Sequence, residues 1–252
     1  MTAYSLYLGC LVPTQFPYVE RAVRDVLSSV GVETSEMIGA SCCAPNRLFG
    51  VNEQTWLALN RRNFSLARGE ILTVCDECFA SLQDASLEID GSGETLPPVK
   101  PFVAFLSENE KELGEKANEL GLKCAIQHSC HLLRPSKVRK VDNPENPILM
   151  RNALDAIGCR SVKHDEELSC CGGQIVATSR VREVLAKRKI SSAEGAGADC
   201  VVTTCAHCLL HLSDHSPRLP VVHLAQLYAL ALGSEPSAVG LTPELFERVA
   251  RK

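Results

Sequence analysis

Ten cysteines recur in one pattern written twice. Cys10, the pair Cys42-Cys43 and Cys75-x-x-Cys78 make the first copy; Cys130, the pair Cys170-Cys171 and Cys205-x-x-Cys208 make the second. The intervening stretches are 31 and 31 residues in the first copy and 39 and 33 in the second. Five thiols per copy is one more than a tetrahedral zinc site uses, and points to a larger inorganic group of the iron–sulfur type. Zinc is the competing reading, because both Cys-x-x-Cys motifs have zinc-knuckle spacing, but it leaves the upstream cysteine and the adjacent pair unused. The chain has 13 cysteines, an odd number. Its opening, Met1-Thr-Ala-Tyr-Ser-Leu-Tyr7, has no basic region and no cleavage pattern, so no signal peptide and a reducing, cytoplasmic location are expected. Thiols there serve metals or catalysis rather than stable disulfides, and adjacent cysteines close a strained ring.

Other residues could take part in the same chemistry. His128 and His131 flank Cys130, and His207 lies inside the second Cys-x-x-Cys. Each could hydrogen-bond a metal group or hand a proton to a departing thiolate, with His131 and His207 as the candidate proton donors; the plain alternative is a packed or solvated histidine. His211 and His215 read as solvated, and His164 and His223 carry no special role. Arg134 suits a substrate carboxylate or sulfonate through its planar fork, or a structural salt bridge. Cys124, Cys159 and Cys200 read as buried structural thiols, Trp56 as core, and Pro45 and Pro135 as turn residues.

The elements that must position these residues also come twice. Each half opens on a short apolar segment ending in cysteine, Tyr4-Ser-Leu-Tyr-Leu-Gly-Cys10 and Cys124-Ala-Ile-Gln-His-Ser-Cys130. Apolar spacing predicts helices over 18–30 and 147–157, closed by Gly31 and Gly158. A short extended segment then delivers each cysteine pair. Second helices follow near 53–68 and 180–193, and strands run into Cys75 and Cys205. Strands alternating with helices imply parallel α/β units, in which ligands gather beyond the carboxyl ends of the strands. The expected fold class is therefore α/β, two pseudo-twofold-related halves with short parallel sheets. The expected boundaries are 1–89 for the first half, 90–122 for a linker and an exposed acidic–basic helix over 107–120, and 123–252 for the second half. The join Asp90-Gly-Ser-Gly-Glu-Thr-Leu-Pro-Pro98 reads as a loop.

Bulk properties exclude several classes. Hydrophobic residues at 45% and charged residues at 22% are ordinary for a globular chain with a full core. A net charge of −4 with no basic run argues against nucleic acid. The most apolar late segment, 221–232, is too short to span a membrane. No ferredoxin run, dinucleotide fingerprint or flavin motif is present, so electrons must come from a separate carrier.

The doubled scheme resembles the cysteine-rich CCG domain family, and more narrowly the B subunit of CoB–CoM heterodisulfide reductase and its bacterial relatives. Beyond the cysteines, the resemblance rests on Cys42-Cys43-Ala-Pro-Asn-Arg-Leu-Phe-Gly50, Thr55-Trp56-Leu-Ala-Leu-Asn60-Arg-Arg-Asn63, Cys130-His-Leu-Leu-Arg-Pro135, Cys170-Cys171-Gly172-Gly173 and Gln226-Leu-Tyr-Ala-Leu-Ala-Leu-Gly233. It implies two non-cubane [4Fe-4S] clusters. Cys10, Cys42, Cys43, Cys75 and Cys78 would hold the first; Cys130, Cys170, Cys171, Cys205 and Cys208 the second. It implies reductive cleavage of a disulfide bound between the clusters, or the reverse. The disulfide would be that of CoB and CoM or, in a bacterial sulfur-oxidising relative, another thiol pair. The implied partners are the other components of such a complex, a ferredoxin-like iron–sulfur C subunit and a flavin-containing A subunit. The alternative is an electron-transfer or assembly subunit of another oxidoreductase, without disulfide chemistry.

Overall fold

The computed structural model describes residues 4–45, 50, 52–90, 95–175, 178–241, 245 and 247. Asn46, Arg47, Leu48 and Phe49 of the first pair's motif, and Gly91 to Glu94 of the expected join, lie outside them.

Two four-stranded parallel sheets form the framework. The first has the order β2-β1-β3-β4, from Thr34–Glu36 (β2), Tyr4–Tyr7 (β1), Ile71–Thr73 (β3) and Val99–Pro101 (β4). The second repeats it as β6-β5-β7-β8, from Arg160–Val162 (β6), Lys123–Ile126 (β5), Cys200–Thr203 (β7) and Val221–His223 (β8). In register, Leu6 faces Leu72 and Ala125 faces Val201. Strand order reverses between β1 and β3, and again between β5 and β7. That is the switch point where open α/β sheets bind ligands. Cys10 and Cys75 follow the two central strands of the first sheet, and Cys130 and Cys205 those of the second.

The helices form for legible reasons. The helix Leu11–Gln15 (α1) leads into Pro17–Ser29 (α2), which has proline in its first turn and buries Val19, Ala22, Val23, Val26 and Leu27 on one face. Each such valine contributes about 2 kcal/mol on full burial, so Val23→Asp would detach the helix. Glu53–Ser65 (α3) is capped by the Asn52 side chain, which accepts from the Thr55 N–H at 2.9 Å. Asp76–Asp90 (α4) springs from the first Cys-x-x-Cys. The expected exposed helix at 107–120 is instead two, Phe102–Glu108 (α5) and Glu110–Lys116 (α6), parted at Asn109. Phe102, Val103, Phe105 and Leu106 bury α5, and the acidic–basic character is confined to α6.

In the second half, Cys130–Leu133 (α7) and Ser136–Arg139 (α8) follow β5, then Leu149–Asp155 (α9), Ser179–Gly195 (α10), Ala206–Ser213 (α11) and Leu224–Ala231 (α12). The Thr178 side chain caps α10 and a His223–Gln226 capping box opens α12. The halves interlock. Helix α12 packs on α2, α9 on α5, and α7 on α4. Arg139 of α8 grips Asp84 of α4 through two hydrogen bonds of 2.7 and 2.8 Å.

Candidate functional site

In the first half, the chain leaves β1 through Gly9, whose φ is +68°; a Cβ there would lie 2.6 Å from Cys78 Sγ, so only glycine allows this approach. Cys42 Sγ lies 3.5 Å from Cys10 Sγ, and Cys43 Sγ 3.6 Å from Cys78 Sγ. One face of α3 fixes the loop that carries the pair. Trp56 Nε1 donates to Ser81 Oγ (3.0 Å), and Ser81 Oγ and Asn60 Nδ2 both donate to the Cys43 carbonyl (2.7 and 3.0 Å). Asn63 Oδ1 accepts from the Ser41 N–H (2.9 Å), while its Nδ2 donates to Tyr7 Oη and Tyr7 donates to the Ser41 carbonyl (2.6 Å). Spacing of four and three residues puts Trp56, Asn60 and Asn63 on that face.

In the second half, Cys208 Sγ lies 3.2 Å from Cys171 Sγ, and Cys130 lies close enough to Cys170 for the two thiols to shift each other's titration. The Gly172 and Gly173 N–H groups donate to Cys170 and Cys171 Sγ, each at 3.3 Å. Gly172 has φ +90°, and a Cβ there would meet the Arg182 carbonyl at 3.0 Å. The turn before the pair is pinned by charge. Lys189 Nζ donates to the Glu166 carbonyl, and Arg188 holds the Glu166 carboxylate. Beside them, Glu167 accepts from Arg151 and pairs with His128 Nε2 at 3.1 Å.

The two sets meet. Cys75 Sγ and Cys205 Sγ are 3.9 Å apart, and the Ala206 N–H donates to Cys75 Sγ at 3.3 Å. Thr204 Oγ1 donates to Asp76 Oδ2 (2.6 Å), and His223 Nε2 donates to the Val74 carbonyl (3.0 Å). The third residue of each Cys-x-x-Cys crosses to the opposite half. His207 lines the pocket formed by all five first-set cysteines, and Glu77 pairs with His131 Nδ1 beside Cys130. Cys130 Sγ is 3.9 Å from that nitrogen. A cavity of about 520 Å³ opens there, with Arg134 and Arg139 on its wall.

Hydrogen bonding sorts the thiols. Cys42 is pulled down to about 2 by its pairing with Cys10 and Cys43, and Cys170 to about 2 by its pairing with Cys130 and Cys171. Cys10 and Cys130 are pushed up by the same pairings and by burial. Cys75 is lowered chiefly by its hydrogen bond from Cys205. Burial pushes the Asp76 carboxyl well above its usual range. For His131, burial pushes down, but Glu77 prevails and the pKa is raised.

All ten patterned cysteines are thus gathered, and all thirteen are free. Among the described residues, no three His, Cys, Asp or Glu side chains are arranged to hold a single metal ion. Cys124, Cys159 and Cys200 are buried, with Cys124 and Cys200 Sγ 3.7 Å apart across β5 and β7. Trp56 is core. His211, expected in solvent, is buried and bonded to the Arg182 carbonyl, with His215 edge-on at 4.8 Å. Arg134 pairs with Glu145 at the surface. The reach of Glu77 and the burial of Lys189 went unread; a lysine on the apolar Ala186, Ile190, Ala193 face of α10 was the available signal for the second.

Two parallel α/β halves that present five thiols each at their switch points define a duplicated cysteine-rich domain. A cysteine-rich domain (CCG) model matches residues 4–83 and 124–213. The B subunit of the ferredoxin/F420H2-dependent CoB–CoM heterodisulfide reductase of Methanosarcina acetivorans is 32% identical, over 99% of this chain and 95% of that one. The membrane anchor subunit of Wolinella succinogenes 8-methylmenaquinol:fumarate reductase is 26% identical, over 97% of each. A hypothetical protein from Helicobacter pylori shares the fold, with a TM-score of 0.67 at 10% identity; 95% of this chain spans about half (51%) of that one. The chain belongs to the cysteine-rich CCG domain family, in the branch that contains the heterodisulfide reductase B subunits. Several of its relatives are named as subunits of reductases. Among the described residues no helix is long and apolar enough to cross a membrane.

Proposed function

We propose that this protein is the catalytic iron–sulfur subunit of a heterodisulfide reductase-like complex. It would cleave a disulfide by RSSR′ + 2 e⁻ + 2 H⁺ → RSH + R′SH, or run the reverse. The single observation that carries the reading is the meeting of two five-thiol sets through Cys75 and Cys205. Soft thiols in fives fit iron–sulfur groups better than zinc. Cys10, Cys42, Cys43, Cys75 and Cys78 would hold one non-cubane [4Fe-4S] cluster, and Cys130, Cys170, Cys171, Cys205 and Cys208 the other. When bound, such clusters supply electrons singly, two of them matching the two-electron cleavage.

The chain's own residues do the rest. Residues 1–89 and 123–252 act as the two working halves. The cavity at Cys130 admits the disulfide, and Arg134 stands at its mouth for an acidic group on the substrate. His131 and His207, by position alone, are our candidates to give protons to the departing sulfurs. Electrons would come through a ferredoxin-like C subunit from a flavin-containing A subunit, in the cytoplasm. The substrate would be the CoB–CoM heterodisulfide or another thiol pair.

The test adds the two product thiols, separately and together, to the oxidised protein and follows its electron paramagnetic resonance spectrum. Thiol-dependent change supports the reading. An unresponsive spectrum favours a second reading, an electron relay, which the likeness to the fumarate reductase subunit supports.

A further inference from the structure

Three side chains that can carry positive charge line the Cys130 cavity: His131, Arg134 and Arg139. Two of them are matched by carboxylates of the opposite half. Arg139 is gripped by Asp84 through both of its terminal nitrogens, and His131 pairs with Glu77. Arg134 differs. Its carboxylate partner, Glu145, comes from the loop between α8 and α9. The two side chains are 52% and 75% exposed, and an exposed ion pair is a weak one.

That loop is built to present Glu145. Asp142 Oδ2 accepts from the Ile148 and Leu149 N–H groups, each at 2.8 Å, and Asn143 Oδ1 accepts from the Glu145 N–H at 3.0 Å. The atom it reaches on Arg134 matters. The Glu145 carboxylate and the Pro144 carbonyl both accept from Nη2, at 3.1 and 3.3 Å. A guanidinium grips an acid group by two parallel N–H bonds, along either its Nε–Nη2 edge or its Nη1–Nη2 edge. Nη2 belongs to both edges and gives one hydrogen to each. The two loop acceptors account for both hydrogens, so neither edge is open to a second acid.

We propose that Glu145 is a specificity-determining residue of the Cys130 cavity: it occupies the corner of Arg134 that an incoming acid must use, so a substrate half is gripped there only when its own acid group displaces the Glu145 carboxylate. The inference rests on the disulfide reading above. Displacement exchanges one acid for another on the same donor; no covalent bond forms or breaks. A neutral thiol half has nothing to exchange and leaves Arg134 turned to its own loop. Discrimination against neutral halves then comes from a competitor carried by the chain itself. Its strength is the difference between the two acids on Arg134, not the affinity of Arg134 for anions alone.

Calorimetric titration of the full chain, purified without oxygen, tests this without turnover. The probes are 3-mercaptopropionate, an acidic thiol, and 2-mercaptoethanol, a neutral one. Glu145→Ala is expected to tighten 3-mercaptopropionate about fivefold and to leave 2-mercaptoethanol unchanged. Glu145→Gln, which keeps the side chain's shape without its charge, should move the acidic thiol in the same direction and by less; it serves in place of Glu145→Ala if that variant melts early. Arg134→Gln should weaken the acidic thiol about tenfold. Adding Glu145→Ala to Arg134→Gln should then change nothing, because the competitor has lost its seat. No tightening, equal tightening of both thiols, or tightening that persists without Arg134 would overturn the proposal. So would an acidic thiol that binds none of these proteins. If the acidic thiol binds in the expected pattern yet leaves the electron paramagnetic resonance spectrum unchanged, the role of Glu145 stands and the disulfide reading beneath it fails.

Discussion

The two halves share a scaffold and differ in what surrounds their thiols. Both present cysteines from the ends of the two central strands, and both turn the residue after the adjacent pair into the left-handed region so that its N–H reaches the first sulfur at 3.3 Å. In the second half that residue is Gly172, at φ +90°; in the first it is Ala44, at φ +47°. Around this common frame the polar partners diverge. The first set is held by an indole, two amides and a phenol: Trp56, Asn60, Asn63 and Tyr7. The second is held by ions and an imidazole: Lys189, Glu166, Glu167, Arg151 and His128. All 7 histidines of the chain fall in the second half. The frame is what five thiols require; the partners are free to make the two sites unlike.

The largest test of that comparison removes one thiol at a time. Cys42→Ser and Cys170→Ser should each lower disulfide turnover by more than about 100-fold, beyond what loss of an outer partner costs, while the other half keeps its spectrum. The double variant should be little worse if the halves act as a unit, as proposed. Full activity in either single variant would mean the halves are not both needed.

Separating the halves comes next. Asp84→Ala leaves the buried guanidinium of Arg139 with Gln83 as its side-chain hydrogen-bond acceptor among the described residues. A loss of about 3 kcal/mol in urea unfolding is expected. A change within experimental error would show that α4 and α8 do not bind the halves together.

Acid should separate them in another way. Burial depresses the pKa of His164 and of His223, so the native second half holds both neutral while the unfolded chain would protonate them. Stability is therefore fully present above about pH 6.5, the unfolded value, and falls as pH drops through it, by about 1.4 kcal/mol for each pH unit separating the folded and unfolded values. Limited proteolysis at pH 5.5 should open the second half before the first; the reverse order would contradict the assignment.

The smallest effect concerns the shared turn. A non-glycine residue at φ +47° is strained by about 1 kcal/mol. Ala44→Gly should relieve part of that and raise stability slightly, whereas Gly172→Ala should lower it, with the Arg182 carbonyl in the way. Thermal melts of the pair would show opposite signs.

Much of this was legible from spacing. The thiol sets, the strands that carry them and the doubled α/β order follow from local sequence, because a strand end followed by cysteine is a short-range pattern. The edge strands Val99–Pro101 and Val221–His223 were not legible, since three residues show no alternation. Nor was the division of 102–116 into a buried and an exposed helix, which depends on α9 packing against α5. The crossings of Glu77 and His207 depend on how the halves meet, which neither half's sequence states.

The most direct measurement is iron and acid-labile sulfide per chain, on protein purified without oxygen. Two four-iron clusters predict roughly eight of each. About four would mean that one half holds nothing, and zinc near one or two without sulfide would contradict the account.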